Sequence, residues 1–183
     1  MNGLYELLHR QAGLIEAGRD GFFDITNGYC LPGFWTAYVA RARARNLHLA
    51  DLAISGDTLQ YAKAIAIERA LGQEDTYPHQ RHRAGDTYSP LVLLESQEQT
   101  DNAIGEINSC IRGLFNEPLY RDFSASMCEL VGDLLDNVWA HGKSTGFSMA
   151  QKWSNQHGGF QFEFAVVDCG LGFLRELKRA GIR

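Results

Sequence analysis

Three polar residues at four-residue spacing are the first candidates for chemistry in this chain. They are Asp133, Asn137 and His141, within residues 129–141 (ELVGDLLDNVWAH). A helix turns by about 100° per residue, so this spacing puts the three on one stripe. The opposite side is apolar and consists of Val131, Leu135, Val138 and Trp139. The pattern predicts a helix that packs with one face and offers polar groups on the other.

The oxygen atoms of these side chains indicate which chemistry they suit. Mg²⁺ takes oxygen ligands and keeps several waters, so the amide oxygen of Asn137 can complete a shell built mostly from phosphates and water. Asp133, one helical turn earlier, can orient or deprotonate a water. We therefore interpret Asn137 as a candidate metal ligand and Asp133 as a candidate catalytic base.

A second segment ends in a carboxylate followed by two glycines. Residues 162–167 are apolar apart from Glu163, and the chain then reads Asp168, Cys169, Gly170, Leu171, Gly172. The apolar run predicts a strand, and the glycines allow the backbone to bend sharply after it. An ionised carboxylate such as that of Asp168 is a strong acceptor for an N–H donor. Taken alone, the first segment also fits an amphipathic helix with a solvated face, and the second also fits an ordinary strand-to-loop turn.

The order of the elements connects the two segments. Residues 146–152 and 159–167 predict a hairpin around the polar turn 154–158, and Asp168 comes at the end of its second strand. Helix, hairpin and Asp-x-Gly-x-Gly in this order resemble the histidine-kinase-like ATPase superfamily, also called GHKL or the Bergerat fold. That superfamily includes gyrase, histidine kinases and anti-sigma-factor serine kinases.

The resemblance implies ATP and Mg²⁺ as cofactors and a role for each site residue. Asn137 matches the magnesium-binding Asn, and Asp168 matches the adenine-binding Asp. Gly170 and Gly172 match the glycines of the first Gly-rich box. Asp133 occupies the place where several members carry a Glu base, with a side chain shorter by one methylene. An ATP-dependent protein kinase or ATPase activity is therefore a hypothesis for this chain.

The resemblance covers about the second half of the sequence, and it implies an α+β two-layer sandwich that is incomplete at the C-terminus. Family members continue into a lid, a second Gly-rich segment and further strands, whereas this sequence ends at Arg183. Residues 173–183 predict a short amphipathic helix instead. The chain is then either a fragment of a longer protein or a degenerate relative.

Composition and charge indicate the class of protein. The 183 residues suggest one or two domains, 45% of them are hydrophobic, and the net charge is −5. The negative charge argues against general nucleic-acid binding. Cys30, Cys110, Cys128 and Cys169 form no C-x-x-C pair, and no run is long and apolar enough for a membrane helix. We expect a cytoplasmic protein with reduced cysteines.

Residues 1–88 are predicted to form a separate small α/β domain, followed by the ATPase-like domain at 89–183. The first domain is predicted to contain strands at 21–26 and 47–55 and helices at 31–45 and 57–71, with Asp57 and Gly72 as caps. This alternation weakly resembles a STAS-like regulatory domain. The second domain is predicted to begin with a strand at 89–95 and a helix at 96–115.

The polar stretch 73–87 between the predicted domains contains His79 and His82, an H-x-x-H that we interpret as part of a solvated loop.

Two functions therefore stay open. The first is an ATP-binding, bacterial-type regulatory protein, kinase-like or anti-sigma-like. The second is a non-catalytic interaction module with a degenerate nucleotide site. Both imply a protein partner, with a homodimer among the options, and neither implies a nucleic acid or a membrane.

Overall fold

The computed structural model describes residues 31–141, 144–154 and 159–170. In these ranges the fold is mixed α/β, built on an antiparallel sheet of three strands in the order β1-β2-β3. The strands are β1 (Tyr88–Leu94), β2 (Gly146–Ser154) and β3 (Phe160–Asp168). The helices are α1 (Pro32–Ala44), α2 (Gly56–Ala64), α3 (Ile67–Ala70), α4 (Gln97–Leu114) and α5 (Arg121–Asp136). Short 3-10 turns occupy Leu49–Asp51 and Pro118–Tyr120, and a π-helical segment, Asn137–His141, continues α5.

Helices cover both faces of the sheet because successive strand residues point to opposite sides. Leu91 and Leu93 of β1 pack in the cluster formed by α1, α2 and α3, on what we call the α1 face. Val92 and Leu94 pack against α4 and α5, on the α4 face. The described chain therefore has three layers, and the part predicted as a two-layer sandwich contributes two of them, the sheet and the helices α4 and α5.

The helix α1 starts at a proline, whose fixed φ suits the first helical position. Its apolar side chains are almost all buried against the α1 face: Phe34, Trp35, Tyr38, Val39 and Ala42. The first turn is tied to the sheet, because the amide of Gly33 donates to Oε1 of Glu163 in β3 at 3.1 Å. Burial raises the pKa of Glu163. The predicted helix 31–45 is confirmed.

The predicted helix 57–71 is interrupted at Ala66, which has a left-handed φ of 65°. Other parts of the chain donate hydrogen bonds to the carbonyl groups at the end of α2. Arg81 donates to the oxygens of Lys63 and Ala64, both at 2.7 Å, and the amide of Leu91 donates to Ile65 O at 2.8 Å. These groups compensate for the helical hydrogen bonds lost at the break.

The two predicted caps of that helix had different outcomes. The residue before α2 is Ser55, so Asp57 lies inside the first turn and is not the cap. Gly72 follows α3 with φ 78°, as expected for a glycine that ends a helix.

Three further predictions are confirmed and one is wrong. Strand β1 and helix α4 occupy the predicted places, with the Ser96 hydroxyl capping α4 by accepting the Gln99 amide at 3.2 Å. The hairpin of β2 and β3 pairs in register from Gly146 opposite Asp168. No strand forms at 47–55, because the 3-10 turn Leu49–Asp51 directs Leu49 and Leu52 into the core.

The predicted domain boundary at residue 88 falls at the start of β1. Residues from both sides of this boundary share the hydrophobic cluster on the α1 face. The division into a STAS-like and a GHKL-like domain stays a prediction, and the packing within the described ranges can be explained without it. The predicted strand 21–26 and the predicted tail helix 173–183 lie outside the described residues.

Among the helices of the described ranges, none combines the length and the apolar character that crossing a bilayer requires.

Candidate functional site

Asp168 is the last residue of β3 and lies opposite Gly146, the first residue of β2. Alternation along β3 puts it on the α4 face, the side on which Val166 and Phe164 pack. This is also the side of α5, the helix that leads to Asn137. The strand end and the helix end therefore meet at one edge of the sheet.

Ser144 connects the two ends directly. Its amide donates to the carbonyl of Val138 at 3.3 Å, one residue after Asn137. Its hydroxyl lies within hydrogen-bond distance of both the Val138 carbonyl and Oδ1 of Asp168. A hydroxyl has only one proton, and a charged acceptor makes the stronger bond, so we assign that proton to the Asp168 carboxylate.

Gly170 closes the turn after Asp168. Its amide donates to the same Oδ1 at 2.7 Å, and the Cys169 amide donates to Thr145 O at 2.9 Å. A Cβ on Gly170 would lie 2.9 Å from Asp168 Oδ1 and 2.9 Å from the Ser144 side chain. Close packing inside the protein thus explains this glycine. Gly172, the other predicted glycine, lies outside the described residues.

Gly146 explains how the helix end comes so near to the sheet. A Cβ there would lie 2.5 Å from Cγ1 of Val138 and 2.6 Å from the carbonyl oxygen of Val167. The absence of a side chain lets Val138 pack directly onto the start of β2. Asn137, the preceding residue, is thereby held at the same edge.

Asp133 and Asn137 both have exposed side chains. The predicted stripe assumes an α-helix up to His141, but the chain becomes π-helical at Asn137. A π-helix bonds i to i+5 and has a wider turn than an α-helix. The four-residue spacing can be followed from Asp133 to Asn137, and the side chain of His141 lies outside the described part of the chain. π-Helical turns of this kind often occur at functional sites. A concave site that includes Asp133, Asn137 and Asp168 stays a prediction.

Cys169, the residue after Asp168, has a free and exposed thiol at this edge. The pKa of Cys169 is raised by burial and by the neighbouring Asp168 charge, so its thiol stays protonated at neutral pH. Within the described ranges, no cluster of three or more His, Cys, Asp or Glu side chains could hold a metal ion. A magnesium ion bound through Asn137 would thus take most of its ligands from water and from a bound phosphate.

Ser144 is the residue that the sequence analysis missed. It follows the helix and precedes β2, and no local pattern marks such a serine as a partner of a carboxylate 24 positions later. The interaction depends on the pairing of β2 with β3. Its only signal in the sequence is a small hydroxyl residue just before a predicted strand.

Comparison with protein-family models, with curated proteins and with solved structures gave no significant match to this chain.

Proposed function

We propose that this chain is an ATP-binding regulatory protein of the histidine-kinase-like ATPase type. One observation carries the proposal: Ser144 links the backbone beside Asn137 to the carboxylate of Asp168. The two residues implied in magnesium and adenine binding thereby belong to one locally fixed arrangement. Their order along the chain and the antiparallel hairpin between them also support it.

The two oxygens of the Asp168 carboxylate have different surroundings, and this difference suits adenine recognition. Oδ1 is occupied by Ser144 and the Gly170 amide. Oδ2 has no hydrogen-bond partner among the described residues, and the residue is exposed. In the proposal, Oδ2 accepts the exocyclic amine of adenine while Oδ1 keeps the carboxylate in a fixed orientation. Guanine has a carbonyl oxygen in place of this amine and would be repelled.

Asn137 and Asp133 supply the metal and water chemistry in this proposal. The Asn137 amide oxygen is one ligand of Mg²⁺, and the phosphates and waters supply the others. Asp133, one turn earlier on α5, orients the water or the hydroxyl that attacks the terminal phosphate. All three polar side chains are exposed, so we expect weak binding of Mg-ATP, with a Kd of roughly 0.1 to 1 mM.

The test is nucleotide selectivity, measured by NMR titration of the isotopically labelled chain with ATP and GTP. We expect the wild type to prefer ATP. Asp168→Asn removes the charge and one acceptor, so it should weaken ATP binding by about 10- to 150-fold, equivalent to about 1.5 to 3 kcal/mol.

Ser144→Ala is the matched control, because it removes the bond to Oδ1 and leaves the carboxylate in place. It should lower stability and keep the preference for ATP over GTP. Asn137→Ala should weaken ATP binding with Mg²⁺ present and have little effect in EDTA. Equal binding of ATP by the wild type and by Asp168→Asn would show that the adenine assignment is wrong.

The second candidate, a non-catalytic interaction module, is favoured by a different observation. Helix α5 exposes a row of large apolar side chains, with Phe123 49%, Leu130 46% and Leu134 39% exposed. Their spacing places them on one side of the helix, close to the stripe of Asp133 and Asn137. Exposed apolar rows of this kind are typical of protein contacts. A chain that binds no nucleotide but loses a protein partner on Leu130→Ser would support this function.

A further inference from the structure

A cavity of about 500 Å³ lies at the other end of the sheet, on the α1 face. Its walls come from the end of α2, from the segment 73–87 and from a cross-strand pair of β1 and β2. Its lining includes Tyr61, Ile65, Tyr77, Arg81, Tyr88 and Gln151. The volume is within the range of about 300 to 1,000 Å³ that is usual for small-molecule sites.

This cavity is separate from the edge that carries Asp168. Gln151 lies five positions along β2 from Gly146, the partner of Asp168, which corresponds to about 16 Å in a strand. The side chain of Gln151 points to the α1 face, whereas Asp168 points to the α4 face. A ligand here would therefore not contact the proposed nucleotide site.

The segment 73–87 forms the outer wall, and buried polar groups hold it in place. Irregular loops longer than about 12 to 15 residues are uncommon in compact domains and are usually either functional or linker segments. Asp75 accepts two bonds from Arg81, at 2.7 and 3.0 Å. The amide and hydroxyl of Thr76 donate to the buried carboxylate of Glu68, both at 2.8 Å. These bonds form the cavity before any ligand arrives.

Arg81 has little charge to offer a ligand. Its side chain is only 11% exposed, and its guanidinium is paired with the Asp75 carboxylate. It makes four bonds, two to Asp75 and two to the carbonyls that end α2, out of the five N–H groups of an arginine. Arg83 also lines the cavity, but its side chain is 71% exposed and lies 3.9 Å from the Asp86 carboxylate, so water and that carboxylate screen its charge. An anionic ligand would therefore gain little from either arginine, and the site suits an uncharged molecule.

Aromatic side chains form a large part of the remaining wall. Tyr61, Tyr77 and Tyr88 line the cavity together with Ile65. The guanidinium carbon of Arg81 lies 4.9 Å from the centre of the Tyr77 ring, and the Tyr61 hydroxyl donates to Gln151 Oε1. Tyr88 has no hydrogen bond from its hydroxyl to any described residue, and that hydroxyl is a donor for a ligand. The flat faces of tyrosine rings favour stacking on a flat partner.

We propose that the cavity between α2, the segment 73–87 and the Tyr88–Gln151 pair binds an uncharged, planar aromatic or heteroaromatic compound of one or two rings. The chain then has a second small-molecule site, apart from the nucleotide site proposed above. In a regulatory protein such a site would let a small aromatic effector bind the layer formed by α1 to α3.

The test uses four probes of similar size in NMR titrations of the full chain. Indole is neutral and planar, benzoate is planar and anionic, benzamidine is planar and cationic, and cyclohexanol is neutral and not planar. We expect saturable shifts with indole, at a Kd of about 0.1 to 1 mM, confined to residues of the cavity. The other three probes should bind at least about tenfold more weakly, a difference of about 1.4 kcal/mol.

Variants connect the binding to the cavity. Tyr88→Ala should weaken indole binding by about tenfold or more, and Tyr88→Phe, which keeps the ring, should weaken it by only about threefold. Tyr120→Ala removes an exposed tyrosine outside this cavity and should leave binding unchanged. Asp168→Asn should also leave it unchanged, which separates this proposal from the nucleotide site.

Three results would overturn the proposal. They are the absence of saturable indole binding, equal binding of cyclohexanol or benzoate, and unchanged indole affinity in Tyr88→Ala. A further variant gives an independent check, because Asp75→Asn leaves the Arg81 charge uncompensated. If the NMR spectrum shows that this variant is folded, the affinity for benzoate should rise at least about threefold relative to the affinity for indole. An unchanged ratio of the two affinities would contradict the charge argument.

Discussion

Replacing Asp75 by asparagine should show how strongly the segment 73–87 is held against α2. The carboxylate accepts from Nη1 and Nη2 of Arg81 and from the amide of Tyr77 at 3.2 Å, and it forms an ion pair with Nε of Arg69 at 2.9 Å. Its side chain is only 16% exposed. Asparagine keeps the size but removes the charge, and it leaves the guanidinium of Arg81 without its partner.

The magnitude follows from the pKa of this carboxyl group. The hydrogen bond from Arg81 is the largest cause that lowers the pKa of Asp75, from 3.8 to about 2. One pKa unit corresponds to about 1.4 kcal/mol, so the folded state favours the ionised carboxylate over the neutral acid by roughly 2 to 2.5 kcal/mol. Asparagine resembles the neutral acid. We therefore expect Asp75→Asn to lower the free energy of unfolding by about 2 kcal/mol at pH 7.

The pH dependence has a defined sign. The folded-state pKa of Asp75 is depressed, so its contribution is fully present above the unfolded value near 3.8 and is lost as the pH falls through about 2. The difference in stability between the wild type and Asp75→Asn should be constant from pH 7 to about pH 5. It should then shrink steadily as the pH is lowered further.

The assay is urea unfolding followed by fluorescence, at a series of pH values. Asp86→Asn is the matched control in the same segment, because its ion pair with Arg83 is long, at 3.9 Å, and about two-thirds exposed. It should change stability by less than about 0.5 kcal/mol. The double variant Asp75→Asn with Arg81→Gln should cost less than the sum of the single variants. A loss below about 0.5 kcal/mol for Asp75→Asn, or a loss that does not depend on pH, would refute the reasoning.

Two further expectations concern the sheet. Gly146→Ala would press a methyl group into Val138 and should lower the free energy of unfolding by about 1 to 3 kcal/mol. Gly132 lies in the interior of α5, and a Cβ there would meet nothing within 4 Å, so Gly132→Ala should raise the free energy of unfolding by about 0.5 to 1 kcal/mol. Thermal unfolding of both variants tests this, and an equal effect of the two would contradict it. Burial raises the pKa of Glu163, so ionising it costs stability as the pH rises above its ordinary value of 4.5, while Glu163→Gln keeps an acceptor for the Gly33 amide. Glu163→Gln should be more stable than the wild type at pH 7, and the difference in stability should disappear near pH 4. Urea unfolding at the two pH values tests this, and a variant that is less stable than the wild type at pH 7 would contradict it.

Local sequence patterns were sufficient to predict several elements of this fold. Helix α4 needed only the Ser96 cap and apolar residues at helical spacing, and the hairpin needed two apolar runs around a polar turn. The position of Asp168 at a strand end followed in the same way. Such features depend on residues that are close together along the chain, so hydrophobic periodicity and turn residues are enough to predict them.

Contacts between distant residues decided the rest. Arg81 and the Leu91 amide donate hydrogen bonds to the carbonyl oxygens at the end of α2. These bonds stabilise the break at Ala66 in the predicted helix 57–71. Ser144 becomes a partner of Asp168 only when β2 pairs with β3. His79 and His82 in the polar stretch 73–87 are exposed, as expected of a solvated loop, but only the fold places Asp75 beside Arg81 and so holds this stretch over a cavity. Each of these outcomes depends on which donor reaches which acceptor in the folded chain, and hydrophobic periodicity carries no information about that pairing.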